Sequence, residues 1–130
     1  MGAWLKSVPM YLRIYADRMV LRRIDTGQEC DRTAGQPFTS GRLLIVHFPE
    51  ASELLNGMMR EVNDRVGGFS RNTRLVVHPM EMIEGGLSAV EHRAFLDLGE
   101  FSGSKPVVIV TSTEALNDAQ VLQTLEGSRK

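Results

Sequence analysis

RLVVHPMEMIEGGLSAVEHRAFLDLGEFSGSKPVVIV, residues 74–110, decides the fold. It opens on a short apolar run, RLVVH (74–78), and closes on another, PVVIV (106–110). Short, continuously apolar runs suit strands buried on both faces. Between them Ser88 is followed three residues later by Glu91, the pattern of a capping box, with Leu87 just ahead of the cap. Val90, Ala94, Phe95 and Leu98 then line one face of a predicted helix. Gly99 to Lys105 reads as the segment that closes it. Strands joined through a helix are parallel, with a right-handed crossover.

Upstream, RLLIVHF leads into Pro49, a favourable first helical position. Ala51, Leu54, Leu55, Met58, Met59, Val62 and Val66 repeat at three and four, predicting an amphipathic helix that Gly67-Gly68 ends. Met58 and Met59 lie on its apolar stripe and read as core filling. Further upstream, residues 11–34 alternate. Leu12, Ile14 and Ala16 fall on one face and Tyr11, Arg13 and Tyr15 on the other. Turns at Asp17-Arg18 and Asp25-Thr26-Gly27-Gln28 divide this stretch into an antiparallel meander of two or three strands. Residues 34–41 are a loop by composition. Downstream, residues 117–125 predict a last helix capped by Asn117, and the final GSRK is expected to fray. The expected class is α/β (α+β): one domain over residues 1–130, with an antiparallel meander followed by parallel strands joined by helices.

Composition narrows the function classes. Fifteen Lys and Arg against sixteen Asp and Glu leave a net charge of -1, so the whole chain shows no electrostatic footprint for nucleic acid. The single cysteine, Cys30, rules out an intramolecular disulfide and fits a reducing compartment. Its polar neighbours suggest a surface or edge-strand thiol rather than a nucleophile. No apolar run approaches the ~20 residues of a membrane span. MGAWLKSVPM lacks the apolar core of a secretory signal, and Lys6 stands where an acylation signal wants Ser or Thr. The expectation is a cytoplasmic protein.

His47, His78 and His92 are far apart in sequence and have no zinc-type spacing, so no metal site is expected. His92 falls on the solvent side of its helix. His78 ends a strand, where open α/β sheets bind ligands. Gly85-Gly86 has Glu81 and Glu84 beside it, which would repel phosphate. Asp17 and Asp25 sit in turns, where backbone hydrogen bonding is their ordinary role. Ser112 and Thr113 follow the last strand with no base placed by any motif, and read as caps. Neither a catalytic residue nor a cofactor is expected.

Residues 41–63 and 74–110 together resemble the first actin-like subdomain of MreB, the bacterial rod-shape protein. The match is to a connecting segment and helix, a buried strand, a loop with Pro, and a helix opening on Thr/Ser-x-Val-Glu-x-Arg-Ala. Here that signature is Ser88-Ala89-Val90-Glu91-His92-Arg93-Ala94. Gly103-Ser104-Lys105 is similar to the family's turn before its next strand, less one residue. The resemblance spans residues 10–112, leaving 113–130 as terminal helix and tail. It looks most like the short MreB-related proteins of Gram-negative bacteria. It implies an actin-like, ribonuclease H-like subdomain and a link to cell shape.

The departures are chemical. The family's first phosphate loop, Asp-x-Gly-Thr, is here Ala16-Asp17-Arg18. Its Glu-Glu-Pro stretch is here Thr111-Ser112-Thr113. The second half of the clamp would lie beyond Lys130. Hydrolysis needs those parts positioned together, so ATPase activity is not expected. The expectation is a non-catalytic interaction module that meets a protein partner or a second copy. Its candidate contacts are Met80, Met82 and Ile83 in the loop, with Leu122 and Leu125 on the last helix. The alternative is a small enzyme or ligand-binding domain using His78, Glu81 and Ser112. Membrane contact through residues 1–8, carried by Trp4 and Leu5 with Lys6 as sole cation, is the weakest expectation.

Overall fold

The computed structural model describes residues 7–40, 43–45, 47–63 and 72–127. The elements are β1 (Val8–Tyr15), β2 (Arg18–Arg23), β3 (Glu29–Thr33), α1 (Phe48–Asn63), β4 (Thr73–Pro79), α2 (Ala89–Phe101), β5 (Ser104–Ile109) and α3 (Asp118–Gly127). The strands form one mixed sheet in the order β3-β2-β1-β4-β5. β1, β2 and β3 are antiparallel neighbours, whereas β1–β4 and β4–β5 are parallel. This is the α+β arrangement expected from the sequence. The expected Gly67-Gly68 helix end, Val66 and residues 1–6 lie outside the described residues.

Strand alternation sorts the side chains onto two faces. Met10, Leu12 and Ile14 of β1 share one face with Met19, Leu21, Cys30, Leu75 and Val77. That face packs against Ala51, Leu55, Met58, Met59 and Val62 of α1 and Phe95 and Leu98 of α2. Phe38, Leu44 and Ile45 from the preceding loop are buried with them. The other face is smaller. Tyr11, Ile24 and Val76 meet Val121 and Leu125 of α3 there. Every residue of β4 except Arg74 is buried, because β4 has strands on both edges and helices on both faces.

The helix ends follow their local chemistry. Ser88 caps α2: its Oγ accepts from the Glu91 N–H, and the Glu91 carboxylate accepts from the Ser88 N–H at 2.9 Å. Asn117 and Gln120 make the same reciprocal pair at the start of α3, at 2.8 Å each way.

Val90, expected in the core, is 73% exposed. The helix is turned so that Phe95, Leu98 and Gly99 form its buried stripe. Gly99 does not close α2, which runs on to Phe101. It is buried where the helix crosses β5, and a Cβ there would stand 2.6 Å from Cγ1 of Val107. β5 was expected to be buried on both faces, but it is an edge strand and its valines are half-buried. Leu125, expected to be left over for a partner, is 0% exposed inside the α3 core. Cys30 does lie on an edge strand, yet it is buried beneath α1 rather than on the surface.

Candidate functional site

The parallel strands β1 and β4 end side by side at Tyr15 and Pro79, with Ile109 of β5 beyond them. The connections leaving these ends build the carboxyl edge of the sheet, the usual ligand side of such a fold. Asp17 turns the chain between β1 and β2 with φ 55°, in the left-handed region that Asp tolerates better than most residues. One carboxylate oxygen accepts the N–H groups of Phe38 and Thr39, both at 2.8 Å. The Asp17 N–H donates to Thr39 Oγ1 at 3.0 Å, and its carbonyl accepts from Ala34 at 2.8 Å. The carboxylate therefore fastens the 34–45 loop to the β1–β2 turn, the backbone role expected from its turn position.

The loop after β4 is tied to β1. The Met80 N–H donates to the Ile14 carbonyl at 2.9 Å, and Glu81 accepts from the Ala16 N–H at 3.2 Å. Met82 has φ 60° and packs against the larger core together with Leu87. Met80, Met82 and Ile83 are each half-buried, so the loop offers partial apolar surface while contributing to its own fold. Leu122, on the outer side of α3, is 43% exposed.

His78 lies on the α3 face, fully buried. Its Nε2 is 2.8 Å from the Ser112 carbonyl oxygen, which can only accept. Nε2 therefore carries the proton and Nδ1 is the acceptor. The Tyr11 hydroxyl donates to that Nδ1 at 2.7 Å and accepts from the Leu116 N–H at 2.9 Å. One relay thus runs from Leu116 through Tyr11 and His78 to Ser112. It fixes the neutral imidazole and pins residues 112–116 against the sheet. Burial lowers the His78 pKa, the bond to Ser112 opposing in part. Burial likewise raises that of Tyr11, so both groups stay neutral near pH 7. The Ser112 hydroxyl is 3.5 Å from Nε2 and donates to the Glu114 carbonyl at 3.2 Å.

Beside this relay, the N-terminus of α3 is clamped to the sheet. Arg22 holds Asp118 by two hydrogen bonds, 2.8 and 3.0 Å, which lower the Asp118 pKa. An open groove of about 570 Å³ follows, lined by Tyr11, Arg13, Arg22, Glu29 and residues 115–119. Its charges are matched: Arg13 and Arg22 approach Glu29 at 3.9 and 3.6 Å, and Arg18 binds Asp31 next door. Such a surface attracts neither a polyanion nor a polycation strongly.

Of the proposed ligand triad, the structure joins His78 to Ser112 and sends Glu81 elsewhere, to Ala16. Tyr11 is the residue that sequence reading missed. Its only signal was an aromatic on the β1 face opposite Leu12 and Ile14. The Arg22–Asp118 clamp links residues 96 apart and left no local signal. His92 is exposed, as its helical phase predicts. The Cys30 thiol, buried and donating to Glu61 at 2.9 Å, has its pKa pushed up to about 11, which keeps it protonated. Among the described residues no cluster of three or more His, Cys, Asp or Glu could hold a metal ion, and no helix is long and apolar enough to cross a membrane. The N-terminal residues 1–6 of the suggested membrane contact lie outside the described residues.

Fold and site together define a small α+β domain with a five-stranded mixed sheet, whose carboxyl edge is fastened by its own polar side chains. The chain belongs to the same family as the Escherichia coli (strain K12) protein described as uncharacterized protein YjaA. The two are 31% identical over 88 residues, which cover 65% of this chain and 68% of that protein. No family model matches the chain.

Proposed function

We propose that the protein is a non-catalytic interaction module derived from an actin-like subdomain akin to that of MreB, acting in the cytoplasm in cell shape or envelope organisation. One observation carries the non-catalytic part: the candidate reactive groups at the carboxyl edge are already engaged. His78 is held between Tyr11 and Ser112, Asp17 between two backbone amides, and Glu81 on Ala16. Phosphoryl transfer requires such groups to face phosphate and metal. The actin-like descent rests on the Ser88–Ala94 signature and on a meander followed by parallel strands. The half-exposed Met80, Met82 and Ile83, with Leu122, support a partner-facing role, since methionines suit adaptable contacts. Calorimetric titration with Mg-ATP tests the reading. The expected result is no binding heat, and micromolar binding with phosphate release overturns it.

A second reading, a small ligand-binding domain, is favoured by the meeting of His78 and Ser112 beside the groove at Tyr11 and Arg13. It predicts that small carboxylates shift the His78 imidazole resonances in NMR titration. Unmoved resonances across such a panel remove it.

A further inference from the structure

The two edges of the sheet are built differently. β3 carries Glu29, Asp31, Arg32 and Thr33, all exposed, around the one buried residue Cys30. Charged residues on an edge strand discourage pairing with another chain. The β5 edge has a guard only at its start, where Lys105 supplies a charge, Pro106 lacks an N–H and the register shifts. Beyond it come Val107, Val108, Ile109 and Val110, four β-branched aliphatics in a row and all half-buried.

Their backbone groups can be assigned. The Val110 N–H donates to the Val77 carbonyl at 2.9 Å. Alternate residues of a strand turn their N–H and C=O the same way, so Val108 also faces β4, and Val107 and Ile109 face outward. Among the described residues, β5 has no strand on that side. The side chains of this edge are only partly covered as well. Val107 and Ile109 lean on the α1/α2 core and Val108 and Val110 on the α3 core, and each is left half-buried there.

We infer that this edge is a self-association surface, on which β5 of a second copy pairs antiparallel about a two-fold axis at Val108. This rests on the interaction-module reading and names the partner. The pattern is self-complementary. With the axis at Val108, Val107 of one copy faces Ile109 of the other. Both turn their free groups inward, so they form a hydrogen-bonded pair on each side of the axis. Val107 and Ile109 then meet on the α2 face, and Val108 meets its own copy on the α3 face. Both half-open cores are covered at once, and the arrangement closes after two chains, as isologous contacts do. A foreign strand could use the backbone groups, but it would have to supply a matching apolar face on both sides.

Sedimentation of the full chain at micromolar concentration, with three variants, decides the matter. The wild type is expected to be a dimer. Val108→Lys places a charge beside its own copy, and its stem can follow the rim of the core to water. Ile109→Pro removes an N–H that β4 does not use. Each is expected to give a monomer with an unchanged circular dichroism spectrum. Val108→Cys places two thiols across a non-hydrogen-bonded pair, Cα atoms about 4.5 Å apart, and is expected to cross-link on mild oxidation. Buried Cys30 does not compete. A monomeric wild type with no cross-link overturns the inference and leaves the interaction reading to its own nucleotide test. A dimer that survives both substitutions and resists cross-linking overturns it too, because association then uses another surface.

Discussion

The Tyr11 hydroxyl donates to Nδ1 of His78 across 2.7 Å, joining the middle of β1 to the end of β4 on the face that α3 covers. The same oxygen accepts from Leu116, so it satisfies a buried imidazole and a half-buried amide. Tyr11→Phe removes both bonds while keeping the ring. The expected cost is about 1–3 kcal/mol, since a buried acceptor and a half-buried N–H lose their partner together. Urea unfolding measures it. Amide exchange at residues 112–125 should rise more than in α1, because the lost bonds hold only the α3 side.

The tautomer of His78 sets a pH dependence. Burial places its folded pKa below the ordinary 6.5, so the unfolded chain takes up a proton first as pH falls. The contribution to stability is therefore whole above about 6.5 and is lost as pH drops from there through the folded value. A second proton would also put an N–H on Nδ1, facing the Tyr11 hydroxyl that now donates to it. Urea midpoints between about pH 7 and 5 should fall for the wild type. His78→Gln should start lower at neutral pH and show a flatter dependence.

At Gly99, α2 passes close against Val107 of β5. Gly99→Ala improves helix propensity by about 1 kcal/mol, yet its methyl would stand 2.6 and 2.8 Å from the two Cγ atoms of Val107. A branched side chain in a packed seam moves poorly, so overpacking, about 1–3 kcal/mol, wins. The expected result is net destabilisation. Combining it with Val107→Ala should recover part of the loss, and a double-mutant cycle by thermal or urea unfolding reads that coupling.

Asp17 combines a φ of 55° with two amide bonds. Asp17→Gly relieves the conformation but frees the Phe38 and Thr39 amides, whereas Asp17→Ala loses the bonds and keeps the strain. Asp17→Asn preserves both the acceptor and the tolerance for this region. The expected order of stability is Asp, Asn, Gly, Ala, with the alanine variant about 1–3 kcal/mol below wild type. Proteolysis within residues 34–45 should rise in the same order.

What the sequence disclosed was local. The apolar runs at 74–78 and 106–110, the Ser88 box and the alternation around Leu12 and Ile14 each carry their own period or cap. What stayed hidden depends on a neighbour. Val90 and Phe95 fit one helical stripe equally well until β5 fixes the helix by its close approach at Gly99. That glycine looked like a stop because chain-order reading has no strand to place beneath it. Leu125 and Leu122 differ only in which side of α3 meets Val76. At the candidate site, His78 was visible as a strand end. Its actual partners, Tyr11 and the Ser112 carbonyl, are 67 and 34 residues away.

Synthesis runs from β1 to β5, but β1 ends in the middle of the sheet, with Val8 beside Thr73. When β3 leaves the ribosome, β1 has β2 on one side and a bare edge on the other, with Met10, Leu12 and Ile14 uncovered. That edge must wait for β4, and pairing across so long a stretch is slow compared with closing the meander. A chain that ends before Thr73 therefore keeps one edge of its central strand unpaired, the kind of edge that invites pairing with another chain.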